Sequence, residues 1–190
     1  LSSSVGMDKN LFKEVMRANN IPVVDSILTS RTKLLSSIDD VINNIESLCA
    51  YPVFVKPANL GSSVGISKCC NRSDLMEGLL EAAQYDRRVL IERGINAREI
   101  EVGVLGNEDP IASIAGEIRP RDEFYTYEAK YLNENSELII PAHIDQTTLS
   151  EIQQIAIRAF QAIDGAGMAR VDFLLDRDSN EIYLSEVNTI

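Results

Sequence analysis

Four residues near the carboxyl end of this 190-residue chain, Arg170, Asp172, Glu186 and Asn188, are of types that can act together on a cation and a charged substrate. Side chains two apart on a strand share a face. That rule pairs Arg170 with Asp172 and Glu186 with Asn188, within the strand-like runs 168–175 and 182–187. A hairpin turning at residues 176–180 sets Asp172 roughly opposite Glu186. Two carboxylates and an amide oxygen then converge beside a guanidinium. Hard oxygen donors on rigid strands are what Mg²⁺ takes, together with phosphate oxygens and water. The same spacing also fits an Arg–carboxylate ladder on a solvent-facing hairpin, and the apolar opposite face (Val171, Phe173, Val187) is compatible with either arrangement.

Two lysines form a second group. Lys56 closes the apolar run Val53-Phe54-Val55; an unpaired ammonium there is costly, so it requires an anion from the protein or from a ligand. Lys9 stands in the first turn of a predicted helix. The macrodipole there already favours negative charge, and a bound phosphate would make the lysine welcome. Each also fits an ordinary surface lysine; together, in an acidic chain, they suggest an anionic ligand.

The segment Gly61-Ser62-Ser63-Val64-Gly65 supports two readings. As a G-x-S-x-G nucleophile elbow it makes Ser63 the nucleophile, with His143, the sole histidine, as base; that motif demands a strand, a sharp turn and then a helix. As a glycine-flanked hydroxyl loop it folds N–H groups over phosphates. It is not a Walker A loop, since no Gly-Lys-Ser/Thr completes one. His143 itself, after Pro141-Ala142, is most simply a loop or surface histidine.

The elements that must position these residues follow from hydrophobic spacing. Residues 1–8 are small and polar and end in Asp8, a good N-cap; a helix follows with Leu11, Phe12, Val15 and Met16 on one face, ended by Ile21-Pro22. A second amphipathic helix runs through Ile38, Val41, Ile42 and Ile45, and the buried strand 53–55 delivers Lys56-Pro57. After the glycine loop comes a short strand through Ile66, then a helix capped by Ser73 with Leu75, Met76, Leu79, Leu80 and Ala83 on one side. Val89-Leu90-Ile91 is a further buried strand ending in Glu92-Arg93-Gly94. From about residue 100 strands dominate: 100–105 and 111–118 flank a hairpin-like turn. The polar stretch 119–137 has the length of a functional lid. A capping box of Thr148 and Glu151 opens the last helix, and Gly165 and Gly167 stop it. The expected fold class is α+β, in two halves meeting near residue 100.

Composition limits the partners. Against 18 Lys+Arg stand 29 Asp+Glu, a net charge of −11, so no cationic surplus exists to grip a nucleic-acid backbone. At 45% hydrophobic and 25% charged the chain is ordinary and globular. No apolar run approaches the ~18 residues that span a bilayer. Three cysteines, two of them adjacent (Cys69, Cys70), encode neither a disulfide framework nor a zinc knuckle. That usage suits a reducing cytoplasm.

Taken jointly, seven stretches resemble the ATP-grasp ligases, and within them the D-alanine–D-alanine ligase family. They are Met7-Asp8-Lys9; Val55-Lys56-Pro57; Gly61 to Gly65; Glu92-Arg93; the run Phe124 to Tyr131 (FYTYEAKY); Ala169-Arg170-Val171-Asp172; and Glu186-Val187-Asn188-Thr189. In order and spacing they cover nearly the whole chain. The resemblance implies an ATP-grasp fold of two α+β subdomains, 9–100 and 101–190, with the nucleotide bound between them and residues 1–8 as a hinge from an N-terminal domain. It implies that Lys9 and Lys56 hold ATP phosphates under the Ser62 loop; that Glu92, Arg93 and Ile95 read adenine; that Glu99 binds ribose; and that Lys130 reaches the γ-phosphate. Tyr131 would approach Ser62 over the first D-alanine. Asp172, Glu186 and Asn188 would ligate two Mg²⁺ or Mn²⁺ ions, and Arg170 would stabilise an oxyanion.

The activity so implied is ATP-dependent joining of two D-alanines through an acylphosphate, for peptidoglycan precursors, by a homodimer when full length. FYTYEAKY resembles the D-alanine-adding type rather than the D-lactate type, and D-serine as second substrate stays open. Carboxylases and glutathione-type ligases would share the lysines and the metal set, but not the serine loop together with FYTYEAKY. A silent nucleotide-binding module has no need of Arg170, Asp172, Glu186 and Asn188. The family also carries a domain before Met7 and a segment after Thr189. The 190 residues are therefore expected to be the ATP-grasp portion of a longer enzyme, binding nucleotide poorly and making little dipeptide alone.

Overall fold

The computed structural model describes residues 1–120 and 136–190. Lys130, Tyr131 and the FYTYEAKY run lie outside the described residues. The elements are α1 (Ser2–Met7), α2 (Lys9–Ala18), β1 (Ser26–Ser30), α3 (Arg31–Leu48), β2 (Val53–Pro57), β3 (Ser67–Cys69), α4 (Arg72–Tyr85), β4 (Arg88–Arg93), β5 (Ala97–Gly106), β6 (Ile111–Pro120), β7 (Ser136–Ile139), α5 (Gln146–Ala162), β8 (Gly167–Asp176) and β9 (Ile182–Thr189). They form two compact units. The first comprises residues 1–6, 11–23 and 95–190, and the second residues 7–10 and 24–94.

In the second unit a four-stranded antiparallel sheet has the order β1-β4-β2-β3. One face is closed by α3 and α4, because Leu34, Val41, Ile42, Ile45, Leu75 and Leu79 bury their apolar stripes against Val53, Val55, Val89 and Ile91. β2 alternates buried and half-buried residues, so Val53 and Val55 enter that core while Phe54 and Lys56 take the other face.

In the first unit a five-stranded antiparallel sheet has the order β7-β6-β5-β8-β9. Its core combines Phe160, Ile152 and Ala156 of α5 with Ile100, Val102, Val171 and Phe173, and also with Phe12 and Met16 of α2. From Leu11 onward α2 therefore belongs with the carboxyl-terminal residues, whereas the resemblance groups 9–100 together. Its chain continues into a parallel bridge between Val23 and Leu184 and a bond from the Leu184 N–H to the Pro22 carbonyl (2.8 Å).

Three local expectations are corrected. Residues 2–7 are helical. The helix α4 is capped by Asn71, not Ser73: its side-chain oxygen accepts the N–H groups of Ser73 (2.9 Å) and Asp74 (3.0 Å). The helix α5 is capped by Asp145 rather than by a Thr148–Glu151 box, through the N–H groups of Thr147 and Thr148 (both 2.9 Å).

Candidate functional site

In the first unit, antiparallel pairing of β8 and β9 sets Asp172 opposite Glu186 and Arg170 opposite Asn188, with a register shift just after Asp172. On the other side of β8, β5 sets Glu101 opposite Asp172. The guanidinium of Arg170 donates two bonds to the Asp172 carboxylate, Nε to Oδ1 and Nη2 to Oδ2, both 2.8 Å, and its Nε lies 3.3 Å from Glu101 Oε1. Asn188 Nδ2 donates to Asp172 Oδ2 (2.9 Å) and to Glu186 Oε1 (3.3 Å). The four residues singled out from spacing are thus one bonded cluster, with the apolar side chains of Val171, Phe173 and Val187 buried on the opposite face.

Glu101 was not anticipated. It was nonetheless legible, since Glu99 and Glu101 alternate with Ile100 and Val102 on β5 and must share the face turned away from the core.

Asp172 is the electrostatic centre. Burial pushes its carboxyl up to about 6; Arg170 opposes the rise, and the carboxylates of Glu186 and Glu101 add to it. Arg170 is held more firmly protonated than usual, first by its hydrogen bonds to Asp172. A buried carboxyl whose proton affinity is raised by neighbouring carboxylates is relieved equally by a divalent cation. Among the described residues no group of three or more His, Cys, Asp and Glu side chains forms a metal cage. The donor set is the carboxylates of Asp172 and Glu186, with Asn188, whose Nδ2 bonds both, able to add its amide oxygen once the amide turns over. That partial set fits Mg²⁺, which keeps waters and phosphate oxygens in its remaining positions.

In the second unit, the anion that Lys56 requires is supplied by the protein. Its Nζ lies 2.5 Å from Glu92 Oε2, and the Glu92 side chain is buried. Phe54 is opposite Glu92 and Lys56 opposite Leu90, so Lys56 and Glu92 are diagonal neighbours on the face turned from the core. Arg93 follows, its N–H bonded to the Asp25 carbonyl (3.1 Å) and its Nε 3.9 Å from Asp25 Oδ2. Lys9 donates from Nζ to the Leu60 carbonyl and from its backbone N–H to the Ala58 carbonyl at 2.9 Å.

The loop from Ala58 to Gly65 is locally strained. Ser62 and Ser63 take φ of +57° and +58°, and Gly65 +68°. Two consecutive non-glycine residues in the left-handed region cost about 1 kcal/mol or more each, the kind of strain that gathers at ligand clamps. Gly65 must be glycine for a second reason, since an added Cβ would stand 2.6 Å from the Tyr85 ring. After it the chain enters β3, not a helix. The nucleophile-elbow reading of Ser63 therefore fails on its own geometric requirement. His143 is exposed and offers its carbonyl to Arg98 (3.0 Å).

The expected residues thus fall into two sets: Lys9, Lys56, Ser62, Glu92 and Arg93 in the second unit, and Ile95, Glu99, Arg170, Asp172, Glu186 and Asn188 in the first.

A family model described as D-ala D-ala ligase C-terminus matches residues 15–190. The D-alanine–D-alanine ligases of Clostridium acetobutylicum and Heliobacterium modesticaldum are 52% and 48% identical over the whole chain, which covers 55% and 52% of their lengths. The chain thus spans about half the length of the curated relatives it matches. Among solved structures, the VanG D-Ala:D-Ser ligase from Enterococcus faecalis superposes with a TM-score of 0.87 at 33% identity, over 100% of this chain and 54% of that one. The D-alanine-D-alanine ligase from Coxiella burnetii gives 0.84 at 35% identity, over 100% and 49%. The fold is α+β, of the ATP-grasp type of these neighbours, and the chain belongs to the D-alanine–D-alanine ligase C-terminal family.

Proposed function

We propose that this chain is the nucleotide- and metal-handling part of an ATP-dependent D-alanine–D-alanine ligase acting in the cytoplasm on peptidoglycan precursors. The observation that carries the reading is the bonded set Arg170–Asp172–Asn188–Glu186 on one sheet face, in a chain of this family.

A carboxylate is a poor electrophile. In the proposed reaction an oxygen of the first D-alanine's carboxylate attacks the γ-phosphorus of ATP, the bond to the β-phosphate oxygen breaks, and ADP leaves an acylphosphate. The amine of the second D-alanine then attacks the acyl carbon, sheds a proton and expels inorganic phosphate. The first stage brings two anions together and the second develops an oxyanion, so positioned cations dominate catalysis.

Lys9 and Lys56 are assigned to the ATP phosphates, with Ser62 in the loop above them; Glu92, Arg93 and Ile95 to adenine; and Glu99 to ribose. Lys130 and Tyr131, outside the described residues, are assigned to the γ-phosphate and to closing over the first D-alanine. Lys56 is assigned to reach phosphate from its place beside Glu92, its ion-pair partner on the neighbouring strand. Asp172, Glu186 and Asn188 would hold two Mg²⁺ or Mn²⁺ ions, which when bound offset the charge between phosphate and carboxylate. Arg170, fixed by Asp172, offers its guanidinium to the tetrahedral oxyanion. Closure of the loops excludes water that would hydrolyse the acylphosphate.

The test is ADP release by the full-length enzyme with D-alanine, L-alanine, D-lactate and D-serine compared. D-alanine-dependent ADP formation with a dipeptide product supports the reading, and ATP turnover indifferent to D-alanine defeats it. A mixed product with D-serine would favour the D-Ala:D-Ser type, the activity named for the VanG neighbour. For the full-length enzyme we also propose a homodimer, checked by light scattering.

A further inference from the structure

Arg88 belongs to none of the residues assigned above, yet it ties together the parts of the second unit that carry Lys9 and the strained loop. Its guanidinium donates to the Asp8 carboxylate through Nη2, in a pair whose side chains are only 23% and 13% exposed. Its backbone carbonyl accepts the N–H of Ala58 (3.0 Å), and the Ala58 carbonyl in turn accepts the N–H of Lys9 (2.9 Å). Asp8 forms an antiparallel bridge with Asn59. From the far side, Asp86 accepts both the N–H (2.8 Å) and the Nδ2 (3.1 Å) of Asn59, and also the N–H of Arg88 (3.2 Å). All these groups lie in the second unit. The bonds therefore converge on Ala58 and Asn59, immediately before Leu60, whose carbonyl receives Lys9 Nζ.

Two further facts argue that this arrangement holds the lysine rather than merely stabilising the strand. A lysine in the first turn of α2 opposes the helix dipole, and the carboxylate next to it in sequence is kept in place by Arg88. The Nε of Arg88 is buried and has no hydrogen-bond partner among the described residues. A group left unsatisfied in this way calls for a reason beyond its own bonding; here the side chain is drawn to Asp8 in spite of that loss.

We propose that Arg88 is a positioning residue which, through Asp8, fixes Lys9 against the 58–65 loop and so sets the affinity for the triphosphate of ATP. The inference rests on the phosphate role proposed for Lys9. Lysine loses substantial rotamer freedom on binding; a backbone already pinned at Ala58 and Asn59 confines that loss to the side chain.

The test is a double-mutant cycle in the full-length enzyme, with KM for ATP, kcat and KM for D-alanine measured for Arg88→Met, Lys9→Met and the pair. Arg88→Met should raise the KM for ATP about tenfold while kcat changes far less, and Arg88→Lys should restore most of the affinity. In the Lys9→Met background the Arg88→Met change should add nothing, because coupled residues are non-additive. Full additivity, or an unchanged KM for ATP in Arg88→Met, overturns the inference alone. An unchanged KM for ATP in Lys9→Met overturns the phosphate role of Lys9 and the inference with it. If Arg88→Met fails to fold, Asp8→Asn, which keeps the side-chain shape, carries the same expectations.

Discussion

Glu117 is a carboxylate almost sealed inside the first unit, its side chain 1% exposed. Arg98 grips it with two bonds (2.9 and 2.6 Å), and Arg119 adds two longer ones at 3.2 and 3.4 Å. The bonds from Arg98, helped by Arg119 and opposed by burial, lower its pKa to about 2 from an ordinary 4.5. A depressed carboxyl stabilises the fold fully above its unfolded pKa. The contribution fades as pH falls from 4.5 toward 2, where the unfolded chain takes up a proton and the folded one does not. At neutral pH that difference amounts to roughly 3 kcal/mol. Glu117→Gln should lose about that much stability at pH 7 by urea unfolding, and its gap to the unsubstituted protein should narrow steadily below pH 4.5.

At the face shared by Arg170, Asp172, Glu186 and Asn188 the proposed function makes the expectation catalytic. Asp172→Asn removes a charge that orients Arg170, so kcat should fall by about 10²-fold or more with nucleotide affinity changed little. Normal turnover of that variant at saturating Mg²⁺ would remove Asp172 from the mechanism.

Among the elements, helix starts were the least legible feature. Thr148 and Glu151 have the spacing of a capping box, yet Asp145, three residues earlier, offers a carboxylate to two N–H groups and a third bond to the Thr148 hydroxyl (2.7 Å). With several capable side chains in one turn, spacing alone does not choose among them. Asp145→Ala should cost about 1 kcal/mol in thermal or urea unfolding, whereas Glu151→Ala, on an exposed position, should stay within about 0.5 kcal/mol. The short α1 escaped notice because Ser2-Ser3-Ser4 carries no apolar period. Tertiary bonds hold it instead: Ser2 Oγ to the Asp164 carbonyl (2.8 Å), Ser3 Oγ to Thr189 Oγ1 (3.0 Å), and Val5 in the core. The strands were readable because alternation fixes both register and face. Asp172 and Glu186 are opposite one another as period two requires, and Lys56 emerges where Val53 and Val55 leave it.

At the scale of the molecule, sequence neighbourhood and packing part company. Phe12 and Met16 are 2% and 0% exposed, within the core built on β5, β8 and β9. Their amphipathic spacing announces a buried face but not which core receives it, since either sheet could accept an apolar stripe. Phe12→Ala should destabilise that unit by about 3–5 kcal/mol. Amide exchange should quicken in β8 and β9 well before β2 and β4, and the reverse order would assign α2 to the other core. The same limit applies to the site: the Arg170–Asp172–Glu186–Asn188 set could be read from local spacing, whereas the Lys56–Glu92 and Asp8–Arg88 pairs, 36 and 80 residues apart in the chain, could not.

The chain changes unit after residues 6, 10, 23 and 94, and this has a bearing on how it matures at the ribosome. Residues 24–94 complete their own sheet and helices as a continuous stretch and can close early. Phe12 and Met16, synthesised before them, must wait with their apolar face uncovered until Val171 to Val187 emerge from the exit tunnel. For that interval the amphipathic segment is a natural client for a holdase chaperone, which would recognise uncovered apolar surface of this kind.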